Sequence, residues 1–195
     1  MQQQIHIQHY HAPCGVLVLG AFEGQLCLCD WRTETHREFV CKRLQKDLKA
    51  EIQVLDNELK NEELKGERIG CGMEKGGWSD IAVLQEAKRQ LDEYFRKERK
   101  VFDLPLLLVG SDFQNRVWDA LSQIPYGTTI SYKELATKID RPKAVRAVAN
   151  ANRQNAISII LPCHRVIATN GSLTGYAGGL QIKRFLLEME QATLF

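Results

Sequence analysis

A cysteine and a histidine stand side by side in Leu-Pro-Cys-His-Arg-Val, residues 161–166, directly after the short apolar run Ile-Ser-Ile-Ile. A deprotonated thiol at Cys163 would be a strong nucleophile, and an adjacent imidazole at His164 could serve as its base. The same residue types could also make a buried space-filler, a metal ligand or half of a disulfide. The choice depends on the elements that position them.

The chain has 195 residues, 44% of them hydrophobic and 26% charged, with a formal net charge of +2. That is enough chain for one globular unit or two small ones, each with its own core. The charge is unevenly placed. Residues 1–100 carry 16 Lys+Arg against 17 Asp+Glu, and residues 101–195 carry 10 against 7. Between Arg141 and Arg165 lie five basic residues (Arg141, Lys143, Arg146, Arg153, Arg165) and no acid. A local basic stripe on a near-neutral chain is a solvated face or a footprint for a phosphate backbone. No apolar run reaches the roughly 20 residues of a membrane span, and the N-terminus lacks the pattern of a secretory signal. The six cysteines are therefore expected to be reduced thiols of a cytoplasmic protein, or a nuclear one if the source is eukaryotic. Cys27 and Cys29, near His6, His9 and His11, do not have the spacing of a zinc site, and no metal is expected.

Two apolar strands meet at Phe-Glu-Gly-Gln, residues 22–25, and read as a hairpin. A helix over 35–48 and a strand over 50–56 follow. Residues 57–78 are polar and punctuated by glycine, and their second half reads as a mobile loop. Residues 79–100 form an amphipathic helix with Leu84, Ala87, Leu91 and Tyr94/Phe95 on its apolar stripe. The extended segment 102–110 marks a boundary. The pattern predicts an N-terminal α/β domain over 1–103 and a mainly helical C-terminal domain over 104–195.

In the second domain Phe113, Val117, Trp118 and Leu121 share one helix face. Ser131 and Glu134 have the spacing of a capping box. The short helix after Ser131 is broken at Asp-Arg-Pro, and Pro142 suits the first turn of a second helix that runs to Arg153. Two short helices across a tight turn make a helix-turn-helix. The second carries Lys143, Arg146, Asn150, Asn152 and Arg153 among alanines small enough to approach a nucleic acid groove. The run 156–161 is expected to be a buried strand that Pro162 ends, followed by a glycine-rich loop and a last helix with Ile182, Phe185, Leu186 and Met189 on one face.

The order and spacing of these blocks resemble a known family. Pro-Cys-His-Arg-Val is similar to the active-site signature of the O6-alkylguanine-DNA alkyltransferases. The stretches 113–136, 141–155, 160–180 and 183–190 resemble that family's consecutive blocks, in order. The likeness is close over 101–195 and looser over 1–100. It implies a ribonuclease-H-like sheet in the N-terminal domain and transfer of an alkyl group from guanine O6 in duplex DNA, with thymine O4 as a lesser substrate, to the protein's own Cys163. It also implies a monomer that needs no cofactor.

The resemblance further assigns roles. His164 would act on Cys163 through a bound water, and Glu190 would orient His164. The base must leave the stack to be reached. Arg146 would fill the gap, and Tyr132 would push the 3′ phosphate and serve the base with its hydroxyl. Lys143 and Arg153 would contact DNA. Asn155 would tie the recognition helix to the active-site turn. Tyr176 would cover the guanine face, the Ala177 backbone would donate near O6, and the carbonyls of Cys163 and Val166 would accept from the exocyclic amine. Ala149, Ala156 and Ala177 stand where relatives commonly carry Gly, Pro and, in some, Ser. A helix-turn-helix transcription regulator and a cysteine hydrolase are the competing readings; the regulator leaves the Cys-His pair unexplained.

Overall fold

The computed structural model describes residues 3–32, 34–55 and 79–191, with the side chains of 34–37 excepted. The segment read as a loop over 57–78, Cys71 included, lies outside them.

Strands β1 (Gln3–Ala12), β2 (Gly15–Phe22) and β3 (Gln25–Trp31) form an antiparallel meander. Helix α1 (Glu34–Leu48) then carries the chain across to β4 (Ala50–Val54), which pairs parallel with β1. The strand order is β3-β2-β1-β4. The hairpin between β2 and β3 turns on Glu23 and Gly24, whose positive φ values of 48° and 74° match the right-handed twist of the flanking strands. β1 precedes the hairpin that the sequence predicts and adds a strand to it; Ile5 and Ile7 alternate with Gln4 and His6 as a half-buried strand requires.

Helix α2 (Asp80–Phe95) starts at an N-cap, where Ser79 accepts from the Ala82 amide. It lays Val83, Leu84, Ala87, Leu91 and Tyr94 against the sheet. The extended segment after α2 does not stand clear of the first domain. Leu26 donates to Pro105 O and Leu107 donates to Leu26 O, so the segment adds to the outer edge of β3.

The remaining chain is helical: α3 (Asp112–Ser122), α4 (Tyr132–Lys138), α5 (Val145–Arg153) and α6 (Leu180–Met189). A two-residue parallel pair joins β5 (Ile130–Ser131) to β6 (Val166–Ile167). The Ser131/Glu134 capping box forms at the start of α4. The molecule is thus a two-domain α/β-plus-helical fold.

Two sequence expectations are corrected. Pro142 lies in the turn before α5, and the helix begins at Val145 with Ala144 as its N-cap. Lys143 therefore also sits outside the helix. The run 156–161 is buried but is not a strand. Ile159 has φ 72°, uncommon for a β-branched residue, and the chain folds back so that Leu161 donates to Ile157 O. Its apolar character reflects docking: Cys29 donates to Ala156 O, and Ser158 donates to Cys29 O, so this turn also leans on the edge of β3.

Candidate active site

Cys163 opens a single 3-10 turn, Cys163–Arg165, just beyond the folded-back run. Cys163, His164 and Arg165 are all buried. Asn155 is the brace beneath them. Its amide donates to Leu161 O at 3.0 Å and to Ile157 O at 3.3 Å, and its oxygen accepts from the Ile157 amide at 2.9 Å. One side chain thus satisfies three backbone groups of a turn that has no ladder of its own.

Glu190, at the end of α6, gathers the site. His164 Nε2 lies 2.9 Å from its Oε1. Arg165 donates to both its oxygens, Nε to Oε2 at 2.9 Å and Nη2 to Oε1 at 3.0 Å. The Tyr94 hydroxyl donates to Oε1 at 2.6 Å, and the Gly127 amide donates to Oε2 at 3.3 Å. Burial alone would raise this carboxyl's pKa, but the hydrogen bonds from His164 and Arg165 and the Arg165 charge help hold it below the usual range. Burial lowers the His164 pKa against the pull of Glu190. At neutral pH the pair is therefore a carboxylate and a neutral imidazole. The other ring nitrogen, Nδ1, is buried and has no hydrogen-bond partner among the described residues.

Burial pushes the Cys163 thiol up to about 11. Asn155, Lys183 and Ser158 pull it back, and Asp30 pushes it further. A thiol in this setting needs a base to become a nucleophile. Lys183 is fully buried, and burial brings its pKa down to about 8, against the favourable charge of Cys163. It donates to Val166 O at 2.6 Å and Thr174 O at 2.9 Å, pinning the glycine-rich loop to the strand after the cysteine.

The other expected site residues fall around this centre. Tyr176 presents its ring to His164 edge-on, with centroids 6.4 Å apart. Tyr132 reaches Thr174 O through its hydroxyl at 3.5 Å. Ala177 lies in the loop closed by Gly179 donating to Tyr176 O. Arg146, Arg153 and Lys143 are exposed. A groove of about 410 Å³ runs between α5 and the loop, lined by Tyr132, Arg146, Ala149, Asn150, Arg153 and Gly175 among others. The Cys163 and Val166 carbonyls already accept from Asn152 and Lys183 respectively.

Two basic-stripe and helix-face assignments are corrected. Arg165 is not a solvated cation but the buried partner of Glu190. Asn152 does not face outward; it is buried and donates to Cys163 O at 3.4 Å. Tyr94, Lys183 and Gly127 also belong to the candidate site, and no motif in the sequence marks them. An apolar stripe reading of α2 accounts for Tyr94 as core, and nothing local in the sequence marks its hydroxyl. Among the described residues no group of three or more His, Cys, Asp or Glu side chains is arranged to hold a metal ion.

Residues 5–108 match the model of the 6-O-methylguanine DNA methyltransferase ribonuclease-like domain, and residues 112–192 match that of the same family's DNA binding domain. The chain belongs to the 6-O-methylguanine DNA methyltransferase family. Among its relatives, a methylated-DNA–protein-cysteine methyltransferase of Methanosarcina barkeri is 56% identical over 110 residues, 56% of this chain and 70% of that protein. The crystal structure of the Mycobacterium tuberculosis O6-methylguanine methyltransferase is 35% identical, with a TM-score of 0.69 over 96% of this chain and 93% of that one. A structure of Mycobacterium tuberculosis OGT in complex with DNA is 36% identical, with a TM-score of 0.70, over 95% and 92%. Cys163, His164 and Glu190 all lie within the segment that matches the DNA binding domain.

Proposed function

We propose that this protein repairs DNA by moving an alkyl group from O6 of guanine, and less readily from O4 of thymine, onto Cys163, once and irreversibly. The observation that carries the reading is the buried relay. Glu190 holds one nitrogen of His164, the residue beside Cys163 in the buried turn, and the other nitrogen has no hydrogen-bond partner among the described residues. His164 takes the thiol proton through a water. Sγ then forms a bond to the alkyl carbon as the bond from that carbon to O6 breaks, and the electron pair leaves with the guanine. The Tyr132 hydroxyl serves the departing base. Glu190 stabilises the imidazolium as it forms.

The lesion reaches Cys163 through the groove beside α5, after the nucleotide has turned out of the duplex. Arg146 on the exposed face of α5 takes its place in the stack. Lys143 and Arg153 hold phosphates, and Tyr132 displaces the 3′ phosphate. Tyr176 covers the base and the Ala177 amide donates near O6, while Asn155 couples α5 to the cysteine turn. In this reading α4 and α5 are a DNA-binding helix-turn-helix. The N-terminal sheet is ribonuclease-H-like, a description its strand order supports. The domains divide as 1–103 and 104–195, and the protein acts as a monomer on double-stranded DNA without a cofactor. A regulator that used α4 and α5 alone would have no use for the relay.

The test is incubation with duplex DNA carrying radiolabelled O6-methylguanine. The label should end on Cys163, with one alkyl group accepted per chain, and Cys163→Ala should bind the DNA and take up none. Label on another cysteine, or a plateau well above one product per chain, would sink the reading.

A further inference from the structure

The terminus of β3, an N-terminal-domain strand, touches both walls of the proposed base pocket. On one side Ser158 Oγ donates to Asp30 Oδ1 at 2.9 Å, which fixes the strand end to the folded-back turn that leads into Cys163. The same oxygen accepts from the Trp31 amide at 2.9 Å. On the other side the Trp31 indole Nε1 donates to the Tyr176 hydroxyl at 2.8 Å. The indole also lies directly under the loop. A Cβ added at Gly178 would fall 2.6 Å from Trp31 Cδ1 and 2.7 Å from Cγ, a separation no side chain could tolerate. Trp31 itself is 1% exposed and is held from behind, where Gly15 would place a Cβ 3.4 Å from its ring. A rigid indole therefore spaces Tyr176 and the backbone at Gly178 from the turn that carries Cys163.

We infer that Trp31 is a positioning residue for base recognition, and that it sets the width of the pocket between Tyr176 and Cys163 from outside the C-terminal domain. This rests on the alkyl-transfer reading. It assigns to the N-terminal domain a part in choosing the alkylated base. Trp31 touches neither the thiol relay nor the exposed face of α5, so its effect falls on binding of the base and not on the transfer step. Binding of a base under a tyrosine loses the benefit of preorganisation when the tyrosine is free to swing.

The test uses the full chain and free O6-benzylguanine, which needs no flipping. Trp31→Phe keeps a ring in place and removes the indole donor. Its half-saturating concentration should rise about fivefold, the size expected for one neutral hydrogen bond, while the limiting rate of Cys163 alkylation stays within about twofold. Tyr176→Phe removes this bond together with the hydroxyl's bond to Ser158, so its rise should be at least as large, and the double variant should lose little more than Tyr176→Phe alone. The pH profile of Cys163 modification by iodoacetamide should be unchanged in Trp31→Phe. Gly178→Ala perturbs the same contact from the loop side, and should raise the half-saturating concentration even if Trp31→Phe fails to fold. An unshifted half-saturating concentration in both Trp31→Phe and Gly178→Ala, additive losses in the double variant, or a displaced iodoacetamide profile would overturn the inference while leaving alkyl transfer intact. Failure of the unaltered chain to take up benzyl at all would sink the transfer reading and this inference together.

Discussion

Glu190 accepts from a histidine, an arginine, a tyrosine and a backbone amide while fully withdrawn from water. A carboxylate so placed is tolerable only because every partner is present. Glu190→Gln leaves the Arg165 guanidinium buried beside a neutral group. It should lower stability by about 3–5 kcal/mol in denaturant titration and slow transfer by roughly a hundredfold. The pair also makes stability depend on pH. His164 has a folded pKa below the ordinary 6.5 of an imidazole, so the unfolded chain takes up a proton first, and stability falls as pH drops through 6.5. Glu190 has a folded pKa below the ordinary 4.5 of a glutamate, so its contribution is complete above 4.5 and is lost as pH falls further. Melting curves should show a first decline just below pH 6.5, flattened in His164→Asn, and a steeper one below 4.5. The sequence pointed to Cys163 and its neighbour through the Pro-Cys-His-Arg-Val signature. It could not disclose Arg165 or Lys183 as interior residues, because a basic side chain reads as solvent-exposed unless its distant partner is known.

At the level of elements, α5 has two faces with different work. Val148, Ala151 and Asn152 are buried, with Trp118 donating to Ala151 O at 2.9 Å, and Arg146, Asn150 and Arg153 point outward. Arg146→Ala should therefore leave the fold intact. It should slow repair in duplex DNA by about tenfold or more, with free O6-benzylguanine nearly unaffected, since the free base needs no partner in the stack; equal slowing of both would contradict the proposed place of Arg146 in the stack. Legibility differed among the elements for physical reasons. The hairpin, α2 and the Ser131 capping box carry local signals of period, turn and cap, and each was readable. The run 156–161 misled because its apolar residues answer to the edge of β3, far away in sequence. Periodicity cannot distinguish a strand from a buried turn held by another element. Pro142 misled by one turn: its fixed φ suits a helix start, but it equally suits the turn that precedes one.

Over the whole molecule, the site is shared. Tyr94 comes from α2 and Trp31 from β3, while the cysteine turn and α6 come from the second domain. Cys163 is buried, so an added alkyl group crowds the side chains around it. Overpacking of this kind costs about 1–3 kcal/mol. The alkylated protein should melt lower by roughly 2–4 °C for each kcal/mol lost, measured by calorimetry before and after reaction with lesion DNA. An unchanged or higher melting temperature would show that the pocket accommodates the group without strain. The contacts that assemble the site also have a bearing on when it comes into being. Trp31 to Tyr176 spans 145 residues, Asp30 to Ser158 spans 128, and Tyr94 to Glu190 spans 96. Loops of that length close late, after the local helices and the hairpin have formed. A chain still folding holds a cysteine with no oriented base, chemically an ordinary thiol. On the proposed mechanism, a reagent that can be used only once is in this way kept unarmed until both domains have met.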